Sequence, residues 1–234
     1  MNDPFGEAIS DYYNNGKAPA LKVKSNYTRG EQIATSYLFR KEKDMPVLER
    51  VALNKCKGKV LDVGAAAGCH SIILQKNGFD ITALEKSKKA VEVMQKRGIG
   101  NAVCDDIYSY SGKKYDTILL LMNGAGIGET IKGIEKLLNH LKNLLTENGQ
   151  ILMDSSDIKY LFHEKDGSFW VDLANKSYYG EMDYEVRYKK SVSNFKWLFI
   201  DFEKLQLIAA KCGLRCKLIQ NGEHYDYLAR LSLK

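Results

Sequence analysis

From Val60 onward the chain alternates short apolar runs with stretches of helical period. KVLDVG reads as a strand and GCHSIILQKN as a helix that stops at Gly78, where a left-handed turn favours glycine. FDITALE reads as the next strand. SKKAVEVMQKR follows as a helix with Ser87 at its N-cap and Gly98 at its end. IGNAVCDD predicts a third strand. YDTILLLM predicts a fourth, with the unbroken apolar run expected when both faces of a parallel strand are covered. Apolar residues at Ile131, Ile134, Leu138, Leu141 and Leu145 share one face of a predicted long helix ending at Gly149, and QILMDSS makes a fifth strand.

Strand–helix repetition of this kind implies a parallel sheet with helices on both sides, since each crossover must return the chain in the same direction. Ligands in such sheets bind at the carboxyl ends of the strands. The pattern changes after residue 166. EMDYEVRYKK and SVSNFKWLFI alternate as two antiparallel strands, DFEKLQLIAAKCG is helical, and LRCKLIQ with YDYLARLSL closes the sheet as a hairpin. Upstream, TRGEQIATSYLFRKE and MPVLERVALNKC read as two helices covering an edge, and any disorder is expected to be confined to the N-terminus. We therefore expect one domain over 1–234. It divides into an N-terminal helical cover (1–57), a ligand-binding core (58–156), an aromatic hairpin insertion (157–200), and a closing helix and strands (201–234).

With 234 residues, 44% of them hydrophobic, the chain can bury one substantial core. Its net charge of +6 is dispersed over lysines such as Lys22, Lys41, Lys113 and Lys189, which argues against a nucleic-acid partner because such a footprint clusters on one face. Five widely spaced cysteines give neither a disulfide framework nor a zinc pair, and buried free thiols are expected. The start MNDPFGEAISDYY lacks the features of a signal peptide, and the longest apolar run is too short to span a bilayer. A soluble, cytoplasmic protein follows as the expectation, with no metal, acting as monomer or homodimer.

Candidate chemistry centres on VLDVGAAAGCHS, residues 60–71. A run of small residues between strand and helix serves a tight packing turn, a phosphate cradle or a cofactor turn, because helix-start N–H groups attract negative charge and absent side chains admit a ligand. No Gly-Lys-Ser/Thr follows, so a P-loop is excluded. The dinucleotide fingerprint fits poorly, with Cys69 where a third small residue belongs. The spacing that fits is Asp62-x-Gly64-x-Ala66-x-Gly68, with Glu85 ending the next strand.

Together with ITALEKS and AVCDDI, this stretch resembles the class I S-adenosylmethionine-dependent methyltransferases over residues 45–155. The resemblance implies an α/β, Rossmann-like, doubly wound and mostly parallel seven-stranded sheet with a terminal antiparallel strand, plus the N-terminal helices and aromatic β-hairpin insertion. It implies S-adenosyl-L-methionine as cofactor. Asp62, Gly64, Ala65, Ala66 and Gly68 would then face its methionine part. Alanine at 66 departs from the usual glycine and is tolerable at negative φ. Glu85, with Lys86 beside it, would grip the ribose hydroxyls. Asp106, more than Asp105, would meet the adenine amino group next to the Ile107 N–H. Arg40 stands where related enzymes direct a polar group at the cofactor carboxylate, and Asn123 where they line the transfer site. Each has a plainer reading: a strand-exit charge for Glu85, a turn pair for Asp105–Asp106, a polar turn for Asn123, an exposed surface group for Arg40.

Methyl transfer from a sulfonium is an in-line displacement from an activated leaving group, so the protein mainly aligns the acceptor and excludes water. The catalytic residues are accordingly not legible. His70 either faces the site or packs in its helix. The acceptor is expected to be a small organic molecule contacted by Tyr27, Tyr37, Asn123, Asp157, His163 and Trp197. The aromatic N-terminal and hairpin segments, Trp170 included, would serve as a lid, a hydrophobic cover or a dimer contact. Protein or RNA methylation and a non-catalytic scaffold role are the alternatives.

Overall fold

A computed structural model describes residues 2–28, 30–162 and 177–234. His163 and Trp170 lie outside the described residues. The chain runs through α1 (Pro4–Asn15), β1 (Leu21–Ser25), β2 (Glu31–Ile33), two 3-10 turns (Thr35–Phe39 and Glu42–Asp44) and α2 (Val47–Asn54). The alternating core follows as β3 (Lys59–Val63), α3 (Cys69–Lys76), β4 (Asp80–Glu85), α4 (Lys88–Lys96), β5 (Ala102–Cys104) and β6 (Tyr115–Leu120). A 3-10 turn (Gly124–Gly128), α5 (Ile131–Lys142), β7 (Leu145–Ser156) and another 3-10 turn (Ile158–Phe162) lead to the hairpin β8 (Glu181–Tyr188) and β9 (Ser191–Leu198). The chain closes with α6 (Phe202–Lys211), β10 (Leu214–Asn221) and β11 (Asp226–Leu233).

Seven strands form the main sheet in the order β10-β11-β7-β6-β3-β4-β5. β7, β6, β3, β4 and β5 are parallel, and β11 joins β7 antiparallel. The strand order reverses at β3, which lies between β6 and β4, so the switch point falls at the carboxyl ends of β3 and β6. Successive residues face opposite sides of the sheet. Leu61, Leu120 and Met153 pack under α5 and α6, whereas Val60, Leu119 and Leu152 pack under α2 and α3. All six are fully buried, each contributing about 1.5–3 kcal/mol relative to exposure. The same parity carries Asp62 and Asp154, two residues beyond Val60 and Leu152, onto the α2–α3 side.

A second, four-stranded antiparallel sheet has the order β2-β1-β8-β9, so the N-terminal segment and the hairpin insertion build one unit. Helix α1 joins it to the core. Ala8 and Ile9 pack with Leu21, Val23, Val186 and Tyr188 on one side and with Ala67, Ala90 and Val93 on the other. The unit thus rests on the turn after β3 and on α4. Glu181 of β8 adds a polar tie by accepting the Ile131 N–H at the start of α5 at 2.8 Å.

Three expectations need correction. The stretch 28–42, read as a helix, contains β2 and two 3-10 turns. The N-terminus instead holds α1, signalled by Asp3 capping Gly6 N–H at 2.8 Å, Pro4 in the first turn and Gly16 at φ 68° as the C-cap. Helix α5 ends at Lys142, because Leu145 pairs with Tyr115 in the sheet; Gly149 lies inside β7, beside a register irregularity. Of the cysteines, Cys69, Cys212 and Cys216 are buried, but Cys56 is half-buried and Cys104 exposed. Among the described residues no helix is long and apolar enough to cross a membrane.

Candidate functional site

The turn after β3 is docked on the neighbouring strand. Gly64 and Ala65 both donate their N–H to the Leu84 carbonyl, at 2.9 and 3.1 Å. A Cβ at Gly64 would meet only the Ile127 methyl, at 3.5 Å, so this side of the turn is open to a ligand. Gly68 is different. It sits at φ 79°, and a Cβ there would lie 2.2 Å from Ile99 Cδ1 and 3.1 Å from Met94 Cγ. Packing beneath α4, and not a ligand, requires glycine at 68.

Ala66 has φ 49°, against the negative value the sequence reading assumed. An alanine in this left-handed region costs roughly 1–2 kcal/mol, partly offset by the greater unfolded-state freedom of glycine. Ala66→Gly is therefore expected to leave stability unchanged or raise it by up to about 1 kcal/mol. A shift of the thermal midpoint downward by more than a degree or two would contradict this account.

Glu85 ends β4 and reaches back to this turn. Its Oε2 accepts the Ala66 N–H at 3.0 Å and its Oε1 the Ser87 N–H at 2.9 Å. Burial pushes its carboxyl up, against the opposing pull of those two N–H groups and Lys86, while the nearby Asp3 carboxylate pushes it further. Asp3 Oδ2 accepts the Ser87 hydroxyl at 2.6 Å, so the N-cap of α1 meets the N-cap of α4 beside Glu85. Lys86 is exposed. Asp105 Oδ1 accepts from Asp106 N–H and the Ser109 hydroxyl, and Asp106 Oδ1 from Tyr108 N–H. These carboxylates shape their own turn after β5, with Asp106 exposed and Ile107 buried beneath it.

The turn after β6 carries two consecutive left-handed residues, Met122 at φ 65° and Asn123 at φ 57°. Such a conformation persists only where surroundings enforce it. Asn123 donates to the Leu198 carbonyl at 3.1 Å and accepts the Ser155 hydroxyl at 2.9 Å, which ties β6, β7 and β9 together. Asp154 Oδ1 accepts the Gly124 N–H at 2.9 Å. Trp197 closes over the same turn: a Cβ at Gly126 would lie 2.0 Å from its indole Cε2, so only glycine admits the ring.

Asp154, near the end of β7, is a second carboxylate raised by burial. Burial is the main cause and lifts it to about 6, against hydrogen bonds from Gly124 and Asn123 N–H. A carboxyl raised on folding stabilises the fold while protonated. That contribution is full below about pH 4 and fades as pH rises through about 6. The stability of wild type relative to Asp154→Asn should accordingly fall between pH 4 and 7; a pH-independent difference in denaturant midpoints would place the Asp154 carboxyl in water.

A buried ionic cluster lies under the α2–α3 side. Glu49 Oε2 accepts from Arg40 Nη2 at 2.5 Å and Nε at 3.0 Å, and lies 2.9 Å from His70 Nε2. Arg40 also donates Nη1 to the Tyr37 carbonyl at 2.9 Å, and its guanidinium covers the Tyr37 ring at 4.3 Å. Arg40 is thus buried, not a surface group, and His70 belongs to this cluster. Burial alone would raise the Glu49 carboxyl, but His70 and Arg40 together hold it below its usual value. Asp62, 2% exposed, accepts the Ser71 hydroxyl at 2.6 Å. Arg97 donates to the Ala67 carbonyl and lies over Phe39, which braces the small-residue turn.

Tyr27 and Asp157 form a separate group. Tyr27 meets Phe162 edge-on at 4.9 Å, Phe162 meets Tyr179 at 5.9 Å, and the Tyr179 hydroxyl donates to Asp157 at 2.7 Å. The sequence reading missed Asp3, Glu49 and Arg97, and left Asp154 without a role; only Asp3, before a proline, carried a local signal.

The match of a methyltransferase-domain family profile to residues 36–208 accords with this geometry. A solved S-adenosylmethionine-dependent methyltransferase from Bacteroides fragilis, in complex with S-adenosyl-L-homocysteine, is 43% identical, with a TM-score of 0.92 over 99% of this chain and 95% of that one. The chain is a class I S-adenosylmethionine-dependent methyltransferase. The methyltransferase also shares its fold with the sugar N-methyltransferase KedS8 from Streptoalloteichus sp. (13% identity, TM-score 0.58, 90% and 97% of the two chains). The amino pentose methyltransferase CalS10 from Micromonospora echinaspora is similar at 13% identity and TM-score 0.53, over 80% and 89%. No curated protein matches at a significant level. The chemistry of these residues fits such a cofactor: the Gly64 backbone is open on one side, and Glu85 presents a carboxylate, a group suited to a diol, at the neighbouring strand end.

Proposed function

We propose that this methyltransferase methylates a small organic molecule at the switch point between β3 and β6. The observation that carries the reading is the indole of Trp197, from β9 of the added sheet, seated on the Gly124–Gly128 turn that follows β6. A bulky side chain laid over a strand-end turn suits a small acceptor better than a polymer. The net charge of +6, dispersed along the chain, agrees with this. So do the acceptor classes named for the sugar and amino pentose methyltransferases that share the fold.

In this reading Asp62 and the 64–68 turn hold the methionine part of the cofactor. Glu85, flanked by Lys86, takes the ribose, and Asp106 with Ile107 N–H the adenine. Arg40, oriented by Glu49, faces the cofactor carboxylate. Tyr37, Asn123 and Trp197 border the acceptor, with Tyr27 and Asp157 at its entrance. When bound, S-adenosylmethionine supplies a methyl group on an activated sulfonium. The protein's residues align the acceptor and exclude water, an effect worth up to about 7–11 kcal/mol of barrier in well-oriented systems. Screening a metabolite panel with radiolabelled S-adenosylmethionine tests the proposal: label should pass to a small molecule. Label appearing only on protein or RNA would refute it.

A further inference from the structure

Glu85 is oriented by two backbone donors, Ala66 N–H on one oxygen and Ser87 N–H on the other. A carboxylate offers about four acceptor positions, so capacity remains for both hydroxyls of a diol. How well it is aimed depends on what fixes those two donors. Ala66 belongs to the turn after β3. Ser87 opens α4, and its hydroxyl is engaged on both sides: it accepts the Ala90 N–H at 3.1 Å and donates to Asp3 Oδ2 at 2.6 Å.

Asp3 brings α1 with it. Contacts advance along α1 and α4 together: Asp3 meets Ser87, Glu7 meets Lys89 at 3.3 Å, and the Tyr13 hydroxyl donates to the Lys96 carbonyl at 3.2 Å. The two helices therefore lie side by side in the same direction, with both N-termini beside Glu85. Ala8 and Ile9 pack along the seam with Ala90 and Val93. This arrangement sets the positive ends of two helix dipoles together, and the Asp3 carboxylate supplies the opposing charge. The join is close enough to dictate a residue. A Cβ at Gly6 would lie 2.1 Å from Asp3 Oδ2 and 2.2 Å from Ser87 Oγ, so glycine is what lets Asp3 reach Ser87. The Gly6 N–H in turn donates to the other Asp3 oxygen at 2.8 Å.

On the reading that Glu85 takes the ribose diol, we infer that Asp3 is a positioning residue for the cofactor. It acts through Ser87, holding in place the residue whose N–H orients the Glu85 carboxylate, and it makes α1 a working part of the cofactor site. No contact between Asp3 and the ligand is required. Its contribution is to specificity: it sharpens the distinction between a nucleoside carrying both ribose hydroxyls and one lacking them.

Asp3→Asn tests the link. Asparagine caps a helix as well as aspartate does, but it has one oxygen where the carboxylate uses two. Titration calorimetry compares S-adenosylhomocysteine with its analogue lacking both ribose hydroxyls. Wild type should prefer the intact ribose by about 10- to 100-fold. In Asp3→Asn that preference should shrink about 3- to 10-fold, through weaker binding of S-adenosylhomocysteine and unchanged binding of the analogue. Gly6→Ala, a change that ordinarily favours a helix but here fills the join, should do the same. Turnover should show a raised KM for S-adenosylmethionine with kcat within about twofold, as expected of binding shared by ground and transition states. A purely structural role would lower the melting temperature and weaken both ligands alike, and a preference thus left intact overturns the inference. So does Asp3→Asn at the wild-type preference beside a Glu85→Ala that has lost it, with the ribose reading left standing. A wild type indifferent to the ribose hydroxyls refutes that reading, and the inference with it.

Discussion

Glu49→Ala is expected to cost about 3–5 kcal/mol of stability, because it strands the buried Arg40 charge and leaves His70 without its partner. Both side chains of the ion pair are nearly sealed from water, at 3% and 4% exposure, and one Glu49 oxygen takes all three contacts. Buried pairs gain little over apolar packing, but breaking one exposes the full cost of the orphaned charge. Combining the change with Arg40→Met should therefore recover part of the loss. The pH dependence has a definite sign. The folded Glu49 carboxyl is held below its usual value, so its contribution is present above about pH 4.5 and disappears as acid protonates it through that lower folded value. Urea denaturation near pH 7.5 and at pH 3 measures both effects. A loss under 1 kcal/mol at neutral pH would mean that water reaches the cluster.

Glu85→Ala should weaken S-adenosylhomocysteine binding by about 10- to 100-fold, roughly 1.5–3 kcal/mol, as two hydrogen bonds to a charged acceptor are removed. In this structure the carboxylate also fastens Ala66 N–H and Ser87 N–H, so part of the loss will come from a loosened turn. Glu85→Gln separates the contributions: its amide oxygen retains one backbone bond, while the charge offered to the ribose is gone. Titration calorimetry on both variants, with melting curves alongside, provides the measurement. Wild-type affinity in a folded Glu85→Ala protein would place the ribose elsewhere.

The parallel core was readable because its signals are local. Apolar runs such as YDTILLLM, Gly78 and Gly98 ending helices and Ser87 capping α4 each state their role within a few residues, and the chain from β3 to β6 obeys them; Gly149 misled because β7 begins before it. The N-terminal unit was not readable because its partners are remote. LKVKS alternates as a half-buried strand should, yet what covers Leu21 and Val23 arrives with Val186 and Tyr188. The burial of Arg40 was not legible, and a surface position stayed open as its plainer reading, because its acid and its histidine lie nine and thirty residues away. The backbone sign at Ala66 was hidden for the same reason, since Glu85 holds that N–H from the next strand. Local chemistry marked the small-residue turn after β3, and long-range packing decided which of its residues are held in place.

The pairing of β1 with β8 also has a consequence for biosynthesis. Val23 leaves the ribosome roughly 160 residues ahead of Val186, its partner in the sheet. At about 5–20 residues per second, that wait lasts on the order of 8–30 seconds. Throughout it, Ile9, Leu21 and Val23 lack the strand that will cover them. Lys22, between Leu21 and Val23, and Lys24, directly after Val23, place charge inside the very segment that would otherwise seek another chain's edge. The alternation that shapes β1 in the finished enzyme thus also shields it from aggregation while the rest of the chain is being made.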